Sequence, residues 1–246
     1  MEPIKLQKYF SDCGILSRRA AEEAIRNGQV LVNGETATLG LRIDPERDVV
    51  EYRGAIVRRA CSDRICIMLN KPRGYLTTLS DDRGRRTVAE LVESVGRRVY
   101  PVGRLDMDSD GLLLLTDDGA LANRLTHPRH EIPKIYRVTV SGEVSPSQLE
   151  ILRAPMTIDG YRLLPVETEK LSYSEKRNET ALRMSLYEGR NRQIRKMCET
   201  AGLRVTRLCR VAIGELTMGD LPSGHWRPLS AEELAYLRGE RDTLRK

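Results

Sequence analysis

A chain of 246 residues, 40% of them hydrophobic, carries enough apolar side chain for one large core, or for a large core and a small one. Its 41 lysines and arginines against 35 acids leave a formal charge of +6, which suits a polyanionic partner without naming it. No apolar run reaches the roughly 18 residues of a membrane span, and MEPIKLQKYFSDCG has an early acid and no continuous apolar stretch, so no membrane association and a cytoplasmic location are expected.

Residues 4 to 13 predict a short helix ended by Gly14, and Ser17 predicts the cap of a second helix, RRAAEEAIRN, that stops at Gly28. VLVNGETA follows as a hairpin, with Asn33 and Gly34 supplying the positive-phi turn between alternating apolar residues. The first unit ends near Tyr52. The charged stretch RGAIVRRACSDR lacks periodicity and sets the domain boundary at residues 58 to 64, dividing the chain into 1–58 and 64–246.

Beyond the boundary, the runs ICIMLN, YLTTL, GLLLLT, IYRVTVSG, TALRMSLY and RVTRLCRVAIGEL predict strands of a mixed or antiparallel sheet. Three helices are expected among them. TVAELVESV starts with a Thr87/Glu90 capping box, NRQIRKMCETA closes at Gly202, and SAEELAYLRGE starts with a Ser230/Glu233 box. The fold class is α+β. Five cysteines without a C-x-x-C pair, a lone His225, and His127 and His130 split by Pro128 give no basis for a disulfide framework or a metal site.

One segment imitates a calcium loop. DMDSDGLLLLTD, from Asp106 to Asp117, spaces its carboxylates nearly as a helix-loop-helix site does. The preceding YPVGRL, however, holds Pro101 and Gly103 where an entering helix is required, and Asp117 is one methylene short of the bidentate Glu. Four consecutive leucines predict a buried strand instead. Taken alone, GRLDMDSDG reads as a polar turn before a strand, with solvated aspartates.

The strings LNKPRGYLTT, YPVGRLDMDSDGLLLLTDDG, KIYRV, YEGRNRQIRKM and LPSGHWRPL, in this order and spacing, resemble those of bacterial ribosomal-RNA pseudouridine synthases that carry an S4-type RNA-binding domain. The resemblance covers almost the whole chain. It implies a small S4-type αL RNA-binding domain followed by a mixed or antiparallel-sheet catalytic domain. The implied activity is site-specific isomerisation of uridine to pseudouridine in ribosomal RNA, of the large subunit (23S), by a monomer needing no cofactor. The implied partner is ribosomal RNA or a ribosome assembly intermediate. Ser109 and Asp117 depart from the family, which often has Thr and Asn there. A non-catalytic RNA-binding assembly factor on the same scaffold is the alternative.

The resemblance further implies that Asp106 is the catalytic carboxylate, that Arg195 pairs with it, and that Tyr136 stacks on the base. The chemistry is compatible. The reaction breaks the bond between ribose C1′ and N1 of uracil and joins C1′ to C5, so no group is gained or lost. A carboxylate beside C1′ can stabilise positive charge there, add to it, or take a proton from the neighbouring carbon. It must be ionised in a partly dehydrated pocket, which calls for an opposing cation. The target must leave its stack, and a single placed ring suffices to receive it. As alternatives, Arg195 would form a surface pair with Glu199 and Tyr136 would pack in the core; Leu186 lines the pocket or packs in the core.

Arg104 shares a side of an extended segment with Asp106 and suits a phosphate. Lys71 and Arg73, at a strand end beside Pro72 and Gly74, suit phosphates too. Arg18 and Arg19 oppose the helix dipole in the first turn of the second helix, a local cost that fits a surface facing RNA, with Lys5 and Lys8 nearby. For each of these cations plain solvation is the alternative.

Overall fold

The computed structural model of the chain describes residues 2–58, 64–127 and 132–244; Cys61, His130 and the middle of the expected boundary lie outside the described residues. The chain divides into two units, Met1–Ile65 with Asp117–Gly119 and Cys66–Thr116 with Ala120–Lys246. No helix among the described residues is long and apolar enough to cross a membrane.

In the first unit, β1 (Ile4–Lys5) leads into α1 (Leu6–Asp12) and α2 (Arg18–Arg26), followed by β2 (Val30–Val32), β3 (Glu35–Thr36), β4 (Arg42–Ile43), β5 (Val50–Tyr52) and β6 (Ala55–Ile56). α1 buries Leu6, Tyr9 and Phe10, the i, i+3, i+4 face of one helix. The Ser17 hydroxyl accepts the Ala20 amide at 3.1 Å and opens α2, which buries Ala21, Ala24 and Ile25 against that face. Asn33 and Gly34 both take positive φ, and this turns β2 back onto β3. Phe10, fully buried, meets the ring of Tyr52 edge to face at 5.7 Å. Its burial contributes about 1.5–3 kcal/mol. Arg18 and Arg19 are exposed, while Lys8 is held by Asp12 one turn later at 2.6 Å.

The second unit is a nine-stranded sheet with helices packed on it. Its elements are β7 (Cys66–Lys71), α3 (Val88–Leu91), β8 (Tyr100–Val102), β9 (Asp110–Thr116), α4 (Gly119–Thr126), β10 (Lys134–Ser141), α5 (Pro146–Arg153), β11 (Thr157–Ile158), β12 (Tyr161–Arg162), β13 (Glu167–Ser174), β14 (Glu179–Leu186), α6 (Gln193–Thr200), β15 (Val205–Ile213), β16 (Leu216–Thr217), β17 (Trp226–Pro228) and α7 (Ala231–Arg238). The sheet order is β13-β14-β10-β15-β9-β7-β17, with β16 on β15 and β8 on β9. All its pairings are antiparallel except the central one, β15 with β9, which is parallel and joins only Cys209 to Asp110 and Arg210 to Gly111.

Each half of the sheet has its own core. Val138, Val140, Leu182 and Met184 pack with Leu152 of α5 and Ile194, Met197 and Cys198 of α6. Met68, Leu112 and Leu114 pack with Leu121 and Leu125 of α4 and Leu237 of α7. The run DGLLLLT is buried at every position, as a strand covered on both faces must be.

Several local expectations are corrected. YLTTL is not a strand; only Leu76 makes an isolated bridge, to Thr87. The TVAELVESV helix is one turn, Val88–Leu91, followed by a 3-10 turn that ends at Gly96. α4, α5 and β13 were not anticipated, although Ser145 and Gln148 form a capping box that opens α5.

The central joint depends on a glycine. Gly111 has φ +107, and a Cβ there would sit 2.3 Å from the Arg210 carbonyl oxygen and 2.9 Å from the Cys209 sulfur. Gly111→Ala is therefore expected to destabilise the second unit by about 3 kcal/mol, combining backbone strain with overpacking. Urea unfolding of wild type and variant checks this; a loss under about 1 kcal/mol would contradict it.

Candidate active site

The segment entering β9 is where the two half-sheets meet. Asp106 to Ser109 forms a turn closed by the Ser109 amide on the Asp106 carbonyl at 3.1 Å. Three contacts fix this turn from the outside. The Gly74 amide donates to the Met107 carbonyl at 2.7 Å, and the Thr77 hydroxyl donates to the Leu105 carbonyl at 2.6 Å. The third contact is Lys71, the last residue of β7.

Lys71 is a correction. Expected at an exposed strand end and available to phosphate, it is instead fully buried. Its ammonium donates to the carbonyls of Pro72 at 3.1 Å, Asp106 at 3.0 Å and Ser109 at 2.9 Å, so all three donors are used inside the protein. Burial pushes its pKa down to about 8, against the pull of Asp110, Asp106 and Asp108. Arg73, two residues on, is exposed.

The alternate aspartates of the turn each face an arginine. Arg192 reaches Asp106 at 3.7 Å and Asp108 at 3.2 Å. Arg195 reaches the Asp108 carboxylate at 3.2 Å and its carbonyl at 3.1 Å. Arg207 pairs with Asp110 at 2.7 Å across the parallel joint. Among the described residues the guanidinium paired with Asp106 is thus that of Arg192, and the pairing expected of Arg195 goes to Asp108 instead. Arg192 has φ 52 and serves as the N-cap of α6, so it does not follow the helical positions that place Arg195. The sequence alone assigns Arg192 no role; the signal available is its place just before the helix, where the backbone is free to turn.

A cavity of about 290 Å³ opens over this turn, at the small end of ligand pockets. Asp106, Arg104, Tyr136, Leu186 and Arg192 all line it. Tyr136 and Leu186 come from neighbouring strands β10 and β14, two residues apart in register, since Tyr136 pairs with Met184. Ile194 and Leu208 add apolar wall, while Glu188, Asn191 and Gln193 add polar groups that the sequence did not single out. Asp106 is half-buried, with 36% of its side chain exposed, so its carboxylate is reachable from the cavity.

The buried ammonium of Lys71 has a pH consequence. An unfolded lysine keeps its proton to about 10.5, whereas folded Lys71 keeps it only to about 8, so between these values the unfolded chain binds the extra proton and rising pH favours the fold. Wild type is therefore expected to gain stability relative to Lys71→Met on going from pH 8 to pH 10, measured by urea unfolding of both proteins; parallel profiles would refute it.

Residues 65–200 match the RNA pseudouridylate synthase family, and residues 5–50 match the S4 domain. The chain is 39% identical over 239 residues to an RNA pseudouridine synthase of Aquifex aeolicus, covering 96% of this chain and 94% of the relative. It is 37% identical over 239 residues to the ribosomal large subunit pseudouridine synthase B of Bacillus subtilis, covering 97% of each. A crystal structure of a pseudouridylate synthase superposes with a TM-score of 0.68 at 28% identity, covering 95% of this chain and 99% of that one. With a turn of arginine-faced aspartates beside a tyrosine-lined cavity, and with these matches along nearly its whole length, the chain belongs to the RNA pseudouridylate synthase family and carries an S4 domain at its N-terminal end.

Proposed function

We propose that this protein isomerises one uridine of large-subunit ribosomal RNA to pseudouridine, with Asp106 as the carboxylate that acts at C1′. The observation that carries the reading is one cavity holding a reachable carboxylate, an arginine within 4 Å of it and a tyrosine on its wall. Similarity to a relative named for the large subunit supports that choice of RNA. The protein is read as a monomer acting in the cytoplasm, where such RNA would be met.

In this reading the uridine is flipped from its stack into the cavity, with Tyr136 and Leu186 against the base. Arg192 places a positive charge 3.7 Å from the Asp106 carboxylate. Lys71 positions the turn by gripping the Asp106 carbonyl, and Arg195 does so through Asp108; neither touches the base. Asp106 then attacks C1′, steadies its positive charge, or takes a proton from the next ribose carbon while the base turns. The reaction has no net redox or group transfer, so residues alone can carry it and no cofactor is invoked. Arg104 and Arg73, exposed in this unit, and Arg18, Arg19 and the partly exposed Lys8 of the S4 unit supply cations for the phosphates.

Asp106→Asn is expected to lower turnover by about a thousandfold or more while leaving RNA affinity nearly unchanged. Carbodiimide mapping of pseudouridine in ribosomal RNA, with filter binding in parallel, reads both. If the wild-type protein binds ribosomal RNA yet forms no pseudouridine, the assembly-factor reading replaces this one. Replacing both Arg18 and Arg19 by Gln should flatten the slope of log affinity against log salt by about 2. An unchanged slope would show that these arginines face only solvent.

A further inference from the structure

Arg190 sits at the rim of the Asp106 cavity, on the loop between β14 and α6. Its side chain is 43% exposed, yet it is held from two sides. The guanidinium lies over the ring of Tyr161, which belongs to the β11–β12 hairpin. Its Nε donates to Glu188 Oε2 at 3.3 Å. Glu188, with 11% of its side chain exposed, also accepts the Leu164 amide at 2.9 Å and Nε2 of Gln193 at 3.4 Å.

The hairpin is fastened elsewhere too. At its tip, Asp159 and Gly160 take the positive φ values of a tight turn, and Asp159 pairs with Lys196 of α6. The hairpin is therefore tied to the cavity loop and to the helix that follows it through Tyr161, Leu164 and Asp159. Holding a long exposed side chain in place costs rotamer entropy. Here the held position leaves both Nη nitrogens of Arg190 without a partner among the described residues.

We infer that Arg190 is a phosphate clamp whose open Nη edge takes a phosphodiester of the RNA strand flanking the nucleotide in the cavity, with Tyr161 and Glu188 fixing its plane and aim. The inference rests on the RNA reading of the same cavity. A planar guanidinium with a free edge matches two oxygens of one phosphate, and an aromatic ring holds it flat in a way that a lysine ammonium does not share. The Glu188 carboxylate is divided among three donors, which leaves the arginine available to a second anion. Arg190 acts as a binding and positioning residue; it has no part in the bond exchange at C1′.

The test uses the full chain, in vitro transcribed large-subunit ribosomal RNA, filter binding across a salt series, and kcat and KM for pseudouridine formation. Arg190→Gln should raise Kd and KM about tenfold, leave kcat within about twofold, and flatten the salt slope by about 0.7 to 1, the value of one lost phosphate contact. Arg190→Lys should keep the slope but raise KM about threefold, because the charge stays while the fork is lost. Tyr161→Ala should raise KM in the same direction and Tyr161→Phe should not, since the ring and not the hydroxyl holds the arginine. An unchanged salt slope in Arg190→Gln, or a fall in kcat at constant KM, would overturn the clamp, as would equal behaviour of Tyr161→Ala and wild type. A wild-type protein that binds RNA with the predicted slope difference but forms no pseudouridine would instead overturn the isomerase reading and leave the clamp standing.

Discussion

The buried ammonium of Lys71 is the contact on which the site's geometry depends. A charge taken out of water is costly unless its hydrogen-bonding capacity is met, and here three carbonyls meet all three donors. Two of those carbonyls, of Asp106 and Ser109, are the ends of the same turn. Gripping both ends fixes the direction in which the Asp106 side chain leaves the backbone. The negative charges of Asp106, Asp108 and Asp110 around the ammonium offset part of its desolvation. The carboxylates also face arginines, so the turn carries ammonium, guanidinium and carboxylate charges that oppose one another.

The turn also lies at the one place where the sheet changes character. Antiparallel ladders run outward on both sides, but β9 and β15 run parallel and share only two residue pairs. So short a ladder holds because side chains reinforce it. Arg210, buried, donates Nε to the Leu112 carbonyl at 2.7 Å, and Arg207 grips Asp110. Gly111 lets the backbones approach as closely as this requires. The cavity is walled by Tyr136 of β10 and Leu186 of β14 together with the Asp106 turn.

Much of this was legible residue by residue. Ser17 before an alternating helix, Asn33-Gly34 between apolar runs, the Thr87 and Ser230 boxes, and four leucines after a glycine all name their structures within a few positions, and the described residues carry these features. The Ser145-to-Gln148 box was equally legible and was missed, because SPSQLEILR is short and weakly periodic. YLTTL misled for the opposite reason, since a β-rich composition without a partner strand makes no ladder. The gathering of Asp106, Tyr136 and Leu186 around one cavity came from family strings, not from any local pattern.

By itself the sequence determined the caps, turns and apolar periods, because those interactions close within about four residues. Through the resemblance it also determined the family. Only the tertiary structure decided that Lys71 is buried beneath the turn, that Arg192 is the arginine paired with Asp106 among the described residues, and that Arg195 holds Asp108. These contacts join positions 35, 86 and 87 residues apart, and they depend on which strands lie next to each other in the sheet. At a strand end, burial or exposure is settled by what packs against it from elsewhere in the chain, and neighbouring residues carry no record of that.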